Sequence, residues 1–366
     1  MNQIRFCKSF DGVRIAYASA GHGTAMVEVA TWLNHLEHDW KSPVWGPRLT
    51  ELSGHFALTR YDGRGCGLSD RKIEDFSFDA CLRDLEAVVD AAQLDRFVLL
   101  GSCQGSGLAI VYAARHPERV SHLILYGAFA RGRLKRNPSP QDIDETNTML
   151  KLVELGWGRD NPAFRQVYTT IFIPDSRPEQ FRWFTELQRM STSPENAVGL
   201  IRGFDAMDVS DLLADIRSPT LVMHAHGDGR VPFAEGHLVA SGIAGAEFVP
   251  LESRNHILLE HQPAWRRFFT EIARFVRAHG AQGDRADTEF LELTGREREV
   301  LDLIARGLGN EQIATDLAVT HKTVRNHINS IFAKLGTPNR AQAIVRAREA
   351  GLGQMPSEST NQRATP

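Results

Sequence analysis

Three side chains of this sequence could together attack a carbonyl: the thiol of Cys103, the imidazole of His256 and the carboxylate of Asp228. Cys103 sits in Phe97-Val-Leu-Leu-Gly-Ser-Cys-Gln-Gly-Ser-Gly107, where an apolar run ends in glycine. Gly101-Ser-Cys-Gln-Gly105 has the G-x-nucleophile-x-G spacing of a nucleophile elbow, a sharp strand-to-helix turn that lifts its central side chain out of the sheet. The flanking positions must be small so that the helix can pass close to the strand. Ser102 is flanked by Leu100 and Gln104, and Ser106 by Gln104 and Leu108, so Cys103 alone has glycine on both sides. A cysteine therefore stands where serine is usual. His256 would take its proton, and Asp228 would hold the imidazole tautomer and stabilise imidazolium. A thiol at a helix N-terminus beside histidine is a ready nucleophile.

These residues need a scaffold that delivers each at the end of a strand. Cys7-Lys-Ser-Phe-Asp-Gly-Val-Arg-Ile-Ala-Tyr17 reads as a hairpin with Asp11-Gly12 as its turn. Strands are expected at Met26–Ala30, Phe56–Tyr61, the elbow run and Leu123–Tyr126, with helices over residues 76–93 and from the elbow to about His116. Thr220–Ala225 then leads to Asp228 in Gly227-Asp-Gly229, and Glu247–Leu251 leads to His256 in Ser253-Arg-Asn-His-Ile-Leu-Leu-Glu260. A helix from Pro263 to about His279 closes the unit. Alternating strands and helices at this spacing predict a mostly parallel sheet covered on both faces. Residues 138 to about 215 interrupt the alternation with a helical insert rich in large apolar residues, among them Trp157, Phe164, Tyr168, Phe172, Trp183 and Phe184. Most should form the insert's own core, and the rest should line an apolar pocket over Cys103.

The order nucleophile, acid, histidine, together with Trp32-Leu-Asn-His-Leu-Glu-His-Asp-Trp40 and Arg60-Tyr-Asp-Gly-Arg-Gly-Cys-Gly-Leu-Ser-Asp70, resembles an α/β-hydrolase domain with a helical cap, of the kind fused to bacterial regulatory modules. The resemblance implies an oxyanion site made by the backbone N–H of Gln104 and one from Trp32 or its neighbour. It implies a Cys-His-Asp site for an ester, lactone or other carbonyl compound. Three uses of Cys103 stay open: a ligand sensor with little turnover, a slow hydrolase of esterase or lactonase type, and a reactive-thiol sensor.

After Gly280-Ala-Gln-Gly-Asp-Arg-Ala-Asp287, which reads as a linker, the pattern changes to short helices. Leu293–Ala305 begins with a Thr294 cap, Asn310–Ala318 follows with Asn310 as its expected cap, and a turn at Val319-Thr320 leads into His321–Leu335, stopped by Gly336. A fourth helix covers Asn339–Ala350. Two short helices joined by a tight turn, the second basic and amide-rich, form a helix-turn-helix. From Leu317 to Arg348 there is no acidic residue, while Lys322, Arg325, Lys334, Arg340, Arg346 and Arg348 fall there. Leu293-Thr-Gly-Arg-Glu-Arg-Glu-Val-Leu301, Asn310-Glu-Gln-Ile-Ala314, Lys322-Thr-Val-Arg-Asn-His327 and Lys334-Leu-Gly336 resemble a LuxR-type DNA-binding domain. By that resemblance Arg325, Asn326 and Asn329 face base edges, Lys322, Thr323, His327 and Lys334 anchor phosphates, and Val324, Ile328 and Ile331 pack inward. The fourth helix is then a dimer surface, implying two-fold-related half-sites.

The composition is ordinary: 42% hydrophobic, 24% charged and a net charge of −3, so any affinity for DNA must be local. The four cysteines show neither metal spacing nor a disulfide framework. His35 and His38 lack an evident third ligand, so no metal or cofactor is expected; Arg131–Arg136 reads as a solvated loop and Cys66 and Cys81 as structural thiols. The start has no signal-peptide pattern and no run is long enough to span a membrane, which predicts a cytoplasmic protein. The expected layout is an α/β sensing domain at 1–279 with its cap at about 138–215, a linker at 280–290, an all-α four-helix domain at 291–353 and a tail at 354–366. The reading is a transcriptional regulator, most simply a homodimer, with no membrane partner.

Overall fold

The computed structural model describes residues 3–31, 33–159, 162–280, 290, 293–349 and 352–353. The chain divides into two compact units, Met1–Gly280 and Ala281–Pro366. Most of the expected linker and all of the tail at 354–366 lie outside the described residues.

The first unit is built on an eight-stranded sheet in the order β1-β2-β4-β3-β5-β6-β7-β8. β1 (Arg5–Lys8) and β2 (Arg14–Ala20) form the expected hairpin, and Gly12 in its turn has φ +87. β2 also runs antiparallel to β4 (Ala57–Tyr61). The remaining neighbours, β3 (Ala25–Glu28), β5 (Phe97–Ser102), β6 (Val120–Tyr126), β7 (Thr220–Ala225) and β8 (Glu247–Leu251), pair in parallel. Every residue of β5, β6 and β7 is buried, which is why none of them alternates between apolar and exposed polar residues.

Helices α1 (Gly46–His55), α2 (Phe78–Ala91), α3 (Gln104–Arg115), α8 (Phe233–Gly242) and α9 (Pro263–His279) pack around this sheet. Two of them, α1 and α8, escaped the sequence reading. In α1 only Leu49 and Leu52 are large apolar residues, and in α8 even Glu235 and Gly236 are buried, so neither shows a clean apolar stripe.

Between β6 and β7 the cap contributes α4 (Pro140–Gly156), α5 (Pro162–Phe172), α6 (Pro178–Ser191) and α7 (Pro194–Asp205). Each begins on a proline, whose missing N–H would be unpaired there anyway. Trp157, Phe164, Tyr168, Phe172 and Phe184 are buried and stack on one another as the cap's core. The arginine run before the cap is not the solvated loop expected: Arg131 pairs with Glu235 at 2.8 Å, and Arg136 donates to the Arg131 carbonyl at 2.8 Å and lies over Phe129. Glu235, buried on α8, draws these guanidiniums inward. Among the described residues no helix is long and apolar enough to cross a membrane.

The second unit packs α10 (Gly295–Ala305), α11 (Asn310–Asp316), α12 (His321–Leu335) and α13 (Arg340–Glu349) around Val300, Leu301, Ile304, Ile313, Val324, Ile328 and Ile331. Phe290, expected in the linker, is fully buried in this core, where its apolar ring belongs. The cap of α11 is Gly309, not Asn310: Gln312 Oε1 accepts the Gly309 N–H at 2.8 Å, while Asn310 Oδ1 is taken by Arg340 at 3.0 Å. Glu297 is the unit's polar hub. It closes the capping box with Thr294 and accepts from Ser330 Oγ and Lys334 Nζ, both at 2.5 Å, joining α10 to α12. Glu297→Ala should therefore destabilise this unit by about 2 kcal/mol, because it strands a lysine and a hydroxyl together. Amide hydrogen exchange across α10 and α12 measures it, and unchanged protection there would refute the hub.

Candidate functional site

Cys103 ends β5 with φ 50 and ψ −121, a conformation rarely adopted by a side-chain-bearing residue. The turn is held by Cys103 N–H donating to the Tyr126 carbonyl at 3.0 Å and by Ser106 Oγ donating to the Cys103 carbonyl at 2.5 Å. A Cβ at Gly101 would lie 2.7 Å from Ala109 Cβ and 2.9 Å from the Gly105 carbonyl oxygen; one at Gly105 would lie 3.2 Å from the Val29 oxygen. Contact thus requires glycine at 101 and makes 105 a tight position, in the register read from their spacing. Gln104 opens α3, where its N–H has no acceptor within the helix and contributes to the positive potential at the helix N-terminus.

His256 Nδ1 lies 2.7 Å from Asp228 Oδ2, and Asp228 Oδ1 accepts the N–H groups of Arg230 and Val231 at 2.8 and 3.0 Å. The imidazole is also within hydrogen-bonding reach of Cys103. Its place is fixed from the cap, since the Phe172 carbonyl at the end of α5 accepts the N–H groups of both His256 and Ile257. Gly127, at φ +55, leaves the ring room: a Cβ there would lie 3.0 Å from His256 Cε1. The structure thus brings together Cys103, Gln104, Asp228 and His256; Trp32 lies outside the described residues.

The loop after Trp32 is held by a residue that the sequence reading missed. Asp62 accepts Asn34 Nδ2 at 2.7 Å, Leu36 N–H at 3.0 Å and Leu68 N–H at 2.8 Å, and burial pushes its carboxyl up to about 7. Beside it runs a buried chain of charges: Arg48 to Glu28 at 2.8 Å, Glu28 to Arg60 at 2.8 Å and Arg60 to Asp39 at 2.7 Å. These partners are far apart in sequence.

A small cavity opens at Cys103, walled by Trp45, Trp265, Phe268, Leu258, Arg48 and Phe172. Of the cap aromatics expected to line it, Phe172 alone does so among the described residues; the walls come from α1 and α9 instead, because the other cap rings satisfy one another.

In the second unit, Lys322, Arg325, Asn326 and Asn329 are exposed on α12, while Val324, Ile328 and Ile331 face the core. Thr323 and His327 are half-buried, and Thr323 donates its N–H to the capping Thr320 Oγ1. Lys334 is committed to Glu297. Arg340, Arg346 and Arg348 bond the carbonyls of Leu308, Leu335 and Ala305, so these three basic residues close helix ends within the unit.

Burial alone would depress the His256 value, yet Asp228 and Cys103 together hold it well above the ordinary histidine range. A raised folded-state value gives stability that is complete below the unfolded value of about 6.5 and is lost as pH rises through the folded one. Asp228→Asn should therefore lower the melting temperature most at about pH 6, with the deficit shrinking at higher pH. Asp62 is common to both proteins and cancels in the comparison. A deficit independent of pH would contradict this assignment.

Residues 27–261 match the model of the alpha/beta hydrolase fold, and residues 291–347 match that of bacterial regulatory proteins of the luxR family. An AB hydrolase superfamily protein, YisY of Bacillus subtilis, is 30% identical over 263 residues, covering 69% of this chain and 91% of its own length. The transcriptional regulatory protein DesR of the same organism is 48% identical over 64 residues, 18% of this chain and 32% of DesR. The crystal structure of a hydrolase from Pseudomonas aeruginosa superposes with a TM-score of 0.61 at 22% identity, covering 76% of this chain and 99% of the other. The chain belongs to the α/β-hydrolase fold family and carries at its C-terminal end a LuxR-family helix-turn-helix domain.

Proposed function

We propose that the protein is a transcriptional regulator whose hydrolase-like domain senses a mostly apolar ester, lactone or related carbonyl compound at Cys103. The observation that carries this reading is that one chain holds both a largely apolar cavity at Cys103 and a helix presenting Lys322, Arg325, Asn326 and Asn329 to solvent. The sensing domain is assigned to 1–279 with its cap at about 138–215, the linker to 280–290, the DNA-binding domain to 291–353 and a tail to 354–366. The regulator acts in the cytoplasm as a homodimer on two-fold-related half-sites. Arg325, Asn326 and Asn329 read bases; Lys322, Thr323 and His327 contact phosphates. Lys334, first assigned to a phosphate, is better used where it stands, on Glu297.

In the sensing domain His256 is the base, Asp228 its orienter, and the N–H of Gln104 with one near Trp32 the oxyanion donors. The completeness of the His256–Asp228 pair beside a strained Cys103 favours a second reading, an active cysteine hydrolase with an appended DNA-binding domain.

Turnover of short acyl esters and lactones separates the two, measured beside Cys103→Ala and Cys103→Ser with intact-mass analysis. A receptor gives at most one acyl group per Cys103; repeated turnover lost in Cys103→Ala establishes the hydrolase. For DNA, Arg325→Ala should cost about 1–3 kcal/mol and relax specificity at one base, while Lys322→Ala should weaken all sequences alike and reduce the salt slope by about 1. Wild-type protein without any sequence preference in a genomic pulldown would end the regulator reading.

A further inference from the structure

Behind Ser102 the Cys103 cavity adjoins a small recess, with which it shares Thr31, Leu33, Trp45, Arg48 and Ser102. Glu28, Arg60 and Asn34 also line the recess. Two guanidiniums therefore border it, each with a side chain only 9% exposed. Arg48 gives Nη2 to Glu28 at 2.8 Å and to Ser102 Oγ at 3.2 Å, but its buried Nε has no partner. Arg60 gives Nε to Glu28 and Nη2 to Asp39, but its buried Nη1 has no partner. Glu28 serves both arginines and Asp39 also holds Arg60, yet two buried guanidinium donors, Arg48 Nε and Arg60 Nη1, stay unused. The Arg48 guanidinium is further fixed 5.5 Å from the Trp45 ring and 5.6 Å from the Phe268 ring, so its orientation is set before a ligand arrives.

A buried N–H of a guanidinium left without an acceptor is unfavourable, and an anionic oxygen is its strongest partner. We propose that this recess takes a carboxylate, so that the compound recognised at Cys103 is a short acyl compound carrying a carboxylate at the end remote from its leaving group. The inference rests on the Cys103 cavity being the ligand site and names what occupies it. The acyl carbonyl lies at Cys103, the chain passes Ser102, and the carboxylate meets Arg48 Nε and Arg60 Nη1. The leaving group occupies the apolar space between Phe172, Trp265 and Leu258.

The probes are p-nitrophenyl hydrogen glutarate and its methyl ester, equal in acyl length and different in charge, offered to the full-length protein. Nitrophenolate release and intact mass report acylation of Cys103. The acid should acylate faster than its methyl ester by about tenfold or more, the worth of one net charge-assisted hydrogen bond. That ratio should fall toward one in Arg48→Gln, and partly in Arg48→Lys, which keeps the charge but loses Nε. Equal rates in the wild type overturn the inference while leaving the Cys103 site intact, and so does a preference that survives in the folded Arg48 variants. Should Arg48→Gln not fold, the wild-type and Arg48→Lys ratios decide. Labelling of Cys103 by neither ester would instead refute the acylation reading. The recess is then judged by free glutarate, which must raise the melting temperature where dimethyl glutarate does not, and must fail to do so with Arg48→Lys; absence of that shift overturns the inference.

Discussion

The close approach of α3 to the end of β5 is the constraint on which the first unit depends. Gly101 and Gly105 let the helix start almost against the strand, and Cys103 between them is forced to positive φ, a strain on the order of 1–3 kcal/mol. The surrounding structure sustains it: Tyr126 on β6 accepts the Cys103 N–H, and Ser106 ties the Cys103 carbonyl toward Phe129. Because β5 lies between β3 and β6, the loops after the neighbouring strands converge on the thiol. Asp228 follows β7 and His256 follows β8, so the acid and base arrive from the next positions along the same edge. The parallel sheet is thus what makes residues 125 or more positions away from Cys103 into its neighbours.

The second constraint is electrostatic and lies on the other side of the elbow. Glu28 at the end of β3 and Arg60 on β4 form a buried pair extended by Arg48 from α1 and by Asp39. Such pairs are weak sources of net stability, since desolvation offsets their attraction, but breaking one strands a buried charge. Their geometric effect is clearer. Asp39 also accepts the His35 N–H, and Asp62 accepts from Asn34 and Leu36, so the loop following Trp32 is stitched to β4 through carboxylates. An oxyanion donor from this loop would be pre-positioned by the Asp39 and Asp62 side chains that hold its backbone.

Much of this was legible in the sequence, and what was not has physical reasons. The elbow, the acid turn and the histidine loop each follow an apolar run with a punctuating glycine or turn, so local pattern sufficed. The four helices of the second unit were visible because their stripes are periodic and their ends carry caps. Helices α1 and α8 were hidden because their buried faces include Arg48, Glu235 and glycine, which no apolar periodicity counts. The Arg48–Glu28–Arg60–Asp39 chain was invisible because charge pairing across strands leaves no spacing rule. Basic composition misled in a different way: Arg340, Arg346 and Arg348 were read as part of a DNA-facing charge, yet they bond helix-end carbonyls, and Lys334 serves Glu297. Composition gives the number of charges, and only packing says which of them are free.

Cysteine in place of serine changes what this machinery can be used for. A thioester is no less open to water than an ester in solution, so the lifetime of an acyl group on Cys103 depends on how water reaches it. Trp45, Trp265, Phe268 and Phe172 wall the cavity, and His256, the base that would activate water, is itself held high by Asp228 and Cys103. Acylation removes the thiol side of that balance: the imidazole keeps Asp228 but loses its sulfur partner, and its affinity for a proton falls. The same event therefore perturbs His256, whose backbone is bound to the Phe172 carbonyl at the end of α5. In the proposed receptor an acyl group on Cys103 would thus stand one imidazole away from the Phe172 carbonyl at the end of α5.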